Sequence, residues 1–177
     1  RGETAVSRRL AAILVADVVG YSRLMGANEA GTLAAIQGRW HGIVEPPVSE
    51  HGGRVVKFMG DGVLAEFPSA VNAVIAARTI QDRFAVANTV EPKNPLRIGL
   101  NLGDVVSEGT DIFGDGVNVA ARLEALADPG GICLSAKVLD ELAGKLELAT
   151  VDLGELPLKN IARPVRAFKI QNGPATA

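Results

Sequence analysis

Apolar positions along the chain fall into runs with two distinct spacings. Leu10 to Asp17 is continuous and apolar until its last residue, the pattern of a strand buried on both faces, and it ends at an acid. From Glu29 to about Glu50, Leu33, Ile36, Trp40 and Ile43 recur at helical spacing. Pro46-Pro47 should kink or interrupt that helix near its end, and His51-Gly52-Gly53 stops it. Arg54 to Met59 and Val63 to Phe67 flank Gly60-Asp61-Gly62, a predicted hairpin whose tip carries a second acid. Pro68-Ser69 opens the next helix, with Ser69 as N-cap and Ala73, Ala77, Ile80 and Phe84 on its apolar face. After a loop at 91–95, Leu96, Ile98, Leu100 and Leu102 alternate with Arg97, Gly99 and Asn101, which predicts a half-buried strand. A helix that starts near Gly116 is closed by Asp128-Pro129-Gly130-Gly131. A strand at 132–135, a short helix at 136–143 and strands near 145–152 and 165–170 follow. The resulting class is α+β: a ferredoxin-like βαββαβ sandwich with a C-terminal αββ extension. In it, the first strand and the central hairpin are neighbours, which would bring Asp17 and Asp61 together.

At 177 residues and 47% hydrophobic residues the chain has the size and apolar content of one domain. We expect the domain at 8–170, between flexible tails at 1–7 and 171–177. A net charge of −2 with both signs interspersed gives no basic footprint for nucleic acid and no polybasic patch for a membrane surface. No apolar stretch is long enough to span a bilayer, and Leu10 to Ala16 is short, lacks a convincing cleavage site and runs straight into Asp17, unlike a signal peptide. The single cysteine, Cys133, excludes an intrachain disulfide and fits a reducing, cytoplasmic setting.

Asp17 closes an apolar strand and Asp61 sits in a glycine-flanked turn, so each carboxylate emerges at an edge. Taken singly, each could be an ordinary turn or capping aspartate. As a pair they suit a hard cation, Mg²⁺ or Mn²⁺, which takes oxygen ligands and commonly combines one or two carboxylates with substrate phosphates. Gly20 allows close backbone approach after Asp17, and the amides of Val18 to Ser22 could cradle a phosphate where a turn or helix begins. Asn118 and Arg122 are four residues apart and share a helix face beside the apolar stripe of Val119, Leu123 and Leu126, so they point away from their own core. Asp115 is expected to cap that helix. His41 and His51 join no ligand cluster.

Three segments, Leu14 to Ser22, Val56 to Gly62 and Asp111 to Arg122, together resemble the catalytic domain of the class III nucleotide cyclases, and the likeness runs from about Arg8 to Ile170. The resemblance implies an adenylate cyclase that converts ATP to 3′,5′-cyclic AMP and pyrophosphate with two Mg²⁺ or Mn²⁺ ions per site. It implies that Asp17, Asp61 and the Val18 carbonyl hold metal, and that Val19, Gly20, Tyr21 and Ser22 contact phosphates. Lys57 and Asp111 would read adenine, the lysine donating to N1 and the carboxylate accepting from the exocyclic amine. Guanylate cyclases typically carry glutamate and cysteine there. Asn118 would orient the ribose, Arg122 would stabilise transition-state charge, and Lys159 would contact the terminal phosphates. Both residue sets lie on one chain, which implies a homodimer with two shared sites. One departure is Asp104, which stands where many relatives carry a phosphate-contacting arginine. A guanylate cyclase or a catalytically silent nucleotide-sensing or dimerisation module are the alternatives; the Gly-Gly-Asp-Glu-Phe turn of diguanylate cyclases is absent. Regulatory domains outside this chain are compatible with this reading.

Overall fold

The long apolar run becomes an interior strand of a mixed sheet. The structure, a computed structural model, describes residues 7–90 and 93–171, so the expected tails fall almost wholly outside it. Strand β1 spans Ser7–Val18 and is followed by α1 (Tyr21–Ala27), α2 (Glu29–Arg39), a π-helical turn (Trp40–Val44) and α3 (Glu45–Glu50). The hairpin β2 (Arg54–Met59) and β3 (Gly62–Phe67), helix α4 (Ala70–Ala87) and strand β4 (Leu96–Glu108) complete the βαββαβ unit. The C-terminal part is longer than αββ: β5 (Asp111–Phe113), α5 (Asp115–Leu126), β6 (Ile132–Ser135), α6 (Ala136–Leu142), β7 (Thr150–Leu156) and β8 (Val165–Ile170). The strands lie in the order β2-β3-β1-β4-β6-β8-β7, with β5 paired to the far end of β4. Strands β3 and β4 flank β1 and run antiparallel to it, as a ferredoxin-like unit requires.

Three expectations change. Pro46-Pro47 do not break the helical segment; they lie in the first turn of α3, and the preceding turn is widened so that Glu45 N–H donates to the Trp40 carbonyl five residues back. The wider turn lets the rod continue through residues that lack the N–H an α-helix would need. Residues 145–149 precede the seventh strand, which starts only at Thr150. Strand β4 is covered on both faces, because Gly99 and Asn101 are as buried as their apolar neighbours.

The two faces are covered differently. On one, Ala12, Leu14 and Ala16 of β1 pack against α2, α3, α4 and α6 through Ile36, Trp40, Val48, Ile80, Phe84 and Val138. On the other, Ala11, Ile13, Val15, Leu64 and Val105 meet Ala120 of α5. Helix α5 packs on β1, β4, β5 and β6 of this second face. Ser69 caps α4 as expected, accepting from Asn72 N–H at 3.2 Å.

The approach of α5 to β4 is set by Gly99. A Cβ there would lie 2.3 Å from the Glu124 amide nitrogen and 2.4 Å from the Ala120 carbonyl oxygen, both backbone atoms that cannot yield. Gly99→Ala is therefore expected to lower the unfolding free energy by about 1–3 kcal/mol in urea titration. Gly38→Ala, in α2 with nothing within 4 Å of the added carbon, is expected to raise it by about 0.5–1 kcal/mol. Equal effects of the two substitutions would contradict this packing.

Candidate active site

Asp17 is the penultimate residue of β1, opposite Gly62 of β3 on one side and Arg97 of β4 on the other. The Val18 N–H donates to the Asp61 carbonyl at 2.9 Å. The turn at Asp61 is thus fastened to the end of β1, and the two acids come together at one end of the sheet, as the sequence predicted. By the two-residue alternation of a strand, Asp17 lies on the α5 face with Ile13 and Val15.

Two residues that sequence reasoning missed complete this corner. Glu124 of α5 is only 7% exposed and hydrogen-bonds the Asp17 carboxyl. Burial, then the hydrogen bond to and charge of Asp17, push its pKa from an ordinary 4.5 to about 8. Burial likewise raises the Asp17 pKa; the Glu124 hydrogen bond works the other way, and the Asp61 charge adds to the rise. The balance of these effects favours a proton held on Glu124 rather than on Asp17. The cation that faces both is Arg97, whose charge favours their ionised forms and whose Nε donates to the Ala127 carbonyl at 2.9 Å. Asp104, the apparent departure from the family pattern, is exposed and pairs with Leu10, seven residues along β4 from Arg97. It is remote from the acids.

Lys57 and Asp111, 54 residues apart, meet as an ion pair of 3.2 Å between Nζ and Oδ2. Lys57 lies on β2 opposite Leu64, and Asp111 is delivered by β5, a strand the sequence pattern did not reveal. Asp111 is desolvated slightly, but the Ile112 N–H on its Oδ1 and the Lys57 ammonium hold its pKa below the usual carboxylate value.

Asn118 and Arg122 stand one turn apart on α5, and Arg122 Nε donates to the Lys159 carbonyl at 3.2 Å, so this helix and the Lys159 turn come together. They do not face Asp17. At roughly 100° per residue, Arg122 and Glu124 are about 200° apart around the helix, and Glu124 is the one turned to the acids. Asp115 is not the cap: Gly114 is, with φ 115° and no side-chain bond, and Asp115 sits in the first turn where its charge complements the helix dipole.

The expected phosphate cradle is narrower than the sequence suggested. The Val18 N–H is engaged by Asp61, and the Val19 N–H donates to the Pro95 carbonyl at 2.9 Å while the Val19 carbonyl accepts from Asn94 Nδ2 at 3.4 Å. Gly20, with φ 78°, caps α1, which leaves the first-turn amides of Tyr21 and Ser22 without helical partners. Among the described residues His41 pairs with Glu45, and no three His, Cys, Asp or Glu side chains form a metal cage. No described helix is long and apolar enough to cross a membrane.

A group whose folded pKa lies above its unfolded value binds extra protons in the folded state, so its contribution to stability is lost as pH rises. Stability of the metal-free protein should therefore fall between pH 4.5 and about 8 on account of Glu124. Glu124→Gln should flatten that slope in thermal melts run in a chelator. An unchanged slope would show that Glu124 is ionised in the fold.

Comparison with known proteins adds independent support. Residues 5–172 match the family described as the adenylate and guanylate cyclase catalytic domain. A Rhizobium meliloti (strain 1021) protein named "Putative adenylate cyclase 3" is 52% identical over 166 residues, covering 92% of this chain and 28% of that protein. An adenylate cyclase of Streptomyces coelicolor is 32% identical over 140 residues, 79% of this chain and 36% of the relative. The chain thus spans about a third of these curated relatives. A crystal structure of an adenylate/guanylate cyclase/hydrolase from Silicibacter pomeroyi superposes with a TM-score of 0.87 at 42% identity, covering 96% of this chain and all of the other. The adenylyl cyclase CyaB of P. aeruginosa shares the fold, with a TM-score of 0.83 at 22% identity over 97% of this chain and 98% of that one. With the family match over nearly the whole chain and the fold to accompany it, the chain belongs to the adenylate and guanylate cyclase catalytic-domain family.

Proposed function

We propose that this chain is an adenylate cyclase whose sites are shared between two copies. The observation that carries the reading is the two-sidedness of α5: Glu124 faces the acids of its own chain, while Asn118 and Arg122 face away from them. One copy alone cannot close Arg122 onto a substrate held at its own Asp17 and Asp61. A second copy related by a two-fold axis supplies Asn118 and Arg122 to the first and receives the same in return. The exposed Lys57 and half-buried Asp111 lie on the sheet face that α5 covers only in part, which suits closure by a partner.

The residues at this end of the sheet fit a divalent cation. Asp17 and Asp61 are hard oxygen donors, burial and then the nearby Asp61 charge raise the Asp17 pKa, and two carboxylates completed by substrate phosphates is a usual Mg²⁺ or Mn²⁺ arrangement. Asp17, Asp61 and the Val18 carbonyl would hold two such ions. When bound, these supply charge neutralisation on the triphosphate and activation of the ribose hydroxyl.

The chain's own residues do the rest. Lys57 donates to N1 of adenine and Asp111 accepts from its amine, a pattern that guanine, with an acceptor at O6 and a donor at N1, does not match. Asn118 orients the ribose so that its 3′-oxygen lies in line with the α-phosphorus. That oxygen bonds to the α-phosphorus as the bond to the bridging oxygen breaks, and its proton passes through solvent to the pyrophosphate that leaves. Arg122 offers a planar fork to the charge that builds on the equatorial oxygens, and positioning with electrostatics supplies most of the catalysis. The Tyr21 and Ser22 amides and Lys159 would hold the outer phosphates.

Mixing tests the reading. Asp17→Ala and Arg122→Ala proteins should each be inactive. Equal mixing should restore roughly a quarter of wild-type cyclic AMP production, since half the dimers are mixed and each has one intact site. No recovery despite demonstrated subunit exchange would defeat the shared site.

A further inference from the structure

We propose that Trp40 is a positioning residue for the turn that carries Asp61. The inference rests on reading Asp61 as a metal acid. Trp40 is the first residue of the π-helical turn, only 2% exposed, and its indole N–H donates to the Gly60 carbonyl at 3.3 Å. Gly60 has φ 62°, and the peptide unit that begins with its carbonyl leads directly into Asp61. The Val18 N–H holds the carbonyl of Asp61 itself. Asp61 is therefore bracketed by hydrogen bonds from two separate elements, the helical rod on one side and β1 on the other.

Little else fixes this tip. Phe58, Met59 and Gly60 are exposed, and the ladder between β2 and β3 ends at Met59 and Gly62. The rod grips Phe58 as well, through the Trp40 ring at 6.0 Å and the His41 ring at 5.6 Å. A phenyl ring at position 40 would keep an aromatic contact with Phe58 and Phe84 while lacking the N–H and leaving a small void. The N–H is the group that reaches the turn. Its removal leaves the carboxylate in place but lets the peptide before it wander, and a metal held by two acids is sensitive to that freedom.

Trp40→Phe removes the hydrogen bond and keeps an aromatic ring, and the location of the effect separates loss of the bond from general loosening of the core. Hydrogen exchange of residues 58–62 should quicken about three- to tenfold, the size expected for one net hydrogen bond, with β1 and β4 unchanged. Mn²⁺ affinity measured without nucleotide, at a temperature where the variant is fully folded, should fall by a similar factor. The chain has a single tryptophan, so its indole N–H resonance gives a readout in the unmodified protein. That proton should be protected from exchange, and Mg²⁺ should shift it in wild type but not in Asp61→Asn. A freely exchanging indole proton, or unchanged exchange at 58–62 in folded Trp40→Phe, would overturn the proposal. Loss of the wild-type Mg²⁺ response throughout the protein, with the exchange result intact, would instead contradict the metal reading of Asp61.

Discussion

The contact between α5 and β4 at Gly99 governs the site. Because no side chain intervenes there, the helix backbone lies directly on the strand. That proximity sets Glu124 against Asp17 and fixes the rotation of the helix. With the rotation fixed, Asn118 and Arg122 must project from the opposite side. One glycine thus determines how the acids of a chain are covered and where its remaining functional side chains are sent.

The same packing gives the acid corner its electrostatic character. Asp17 and Glu124 meet near the Asp61 charge with one facing cation, Arg97, and burial makes the ionised forms of Asp17 and Glu124 costly. In the metal-free protein a proton on Glu124 eases the repulsion. The corner is therefore not a relaxed salt-bridge network of the kind seen elsewhere in the chain, where Arg9 and Arg54 both pair with Glu66 and hold its pKa low despite burial. An excess of carboxylate over cation at one end of a sheet is what a divalent ion would relieve.

Much of this was legible in the sequence where the signal is local. The end of an apolar run located Asp17, the Gly-Asp-Gly turn located Asp61, and helical spacing located Asn118 and Arg122. Residues whose role depends on what folds over them were not legible. Arg97 and Glu124 read as an ordinary strand arginine and helix glutamate, and only the strand register and the helix approach reveal them. Alternation implied a half-buried β4 because it cannot register a helix lying on glycine. Strand β5 is too short to show a period, and Pro46-Pro47 suggested a break because a π-helical turn leaves no mark in the pattern of apolar positions. Asp104 drew notice from its place in a motif, whereas its register sets it apart from the acids.

The central claim is that the corner formed by Asp17 and Asp61 drives cyclisation of ATP. The most direct measurement is to incubate the purified protein with ATP or GTP and Mn²⁺ or Mg²⁺, beside Asp17→Asn, and identify products by chromatography. The account predicts cyclic AMP and pyrophosphate from ATP, little cyclic GMP from GTP, and neither product from the variant. Cyclic GMP as the main product, or no cyclic nucleotide from a confirmed dimer, would contradict it.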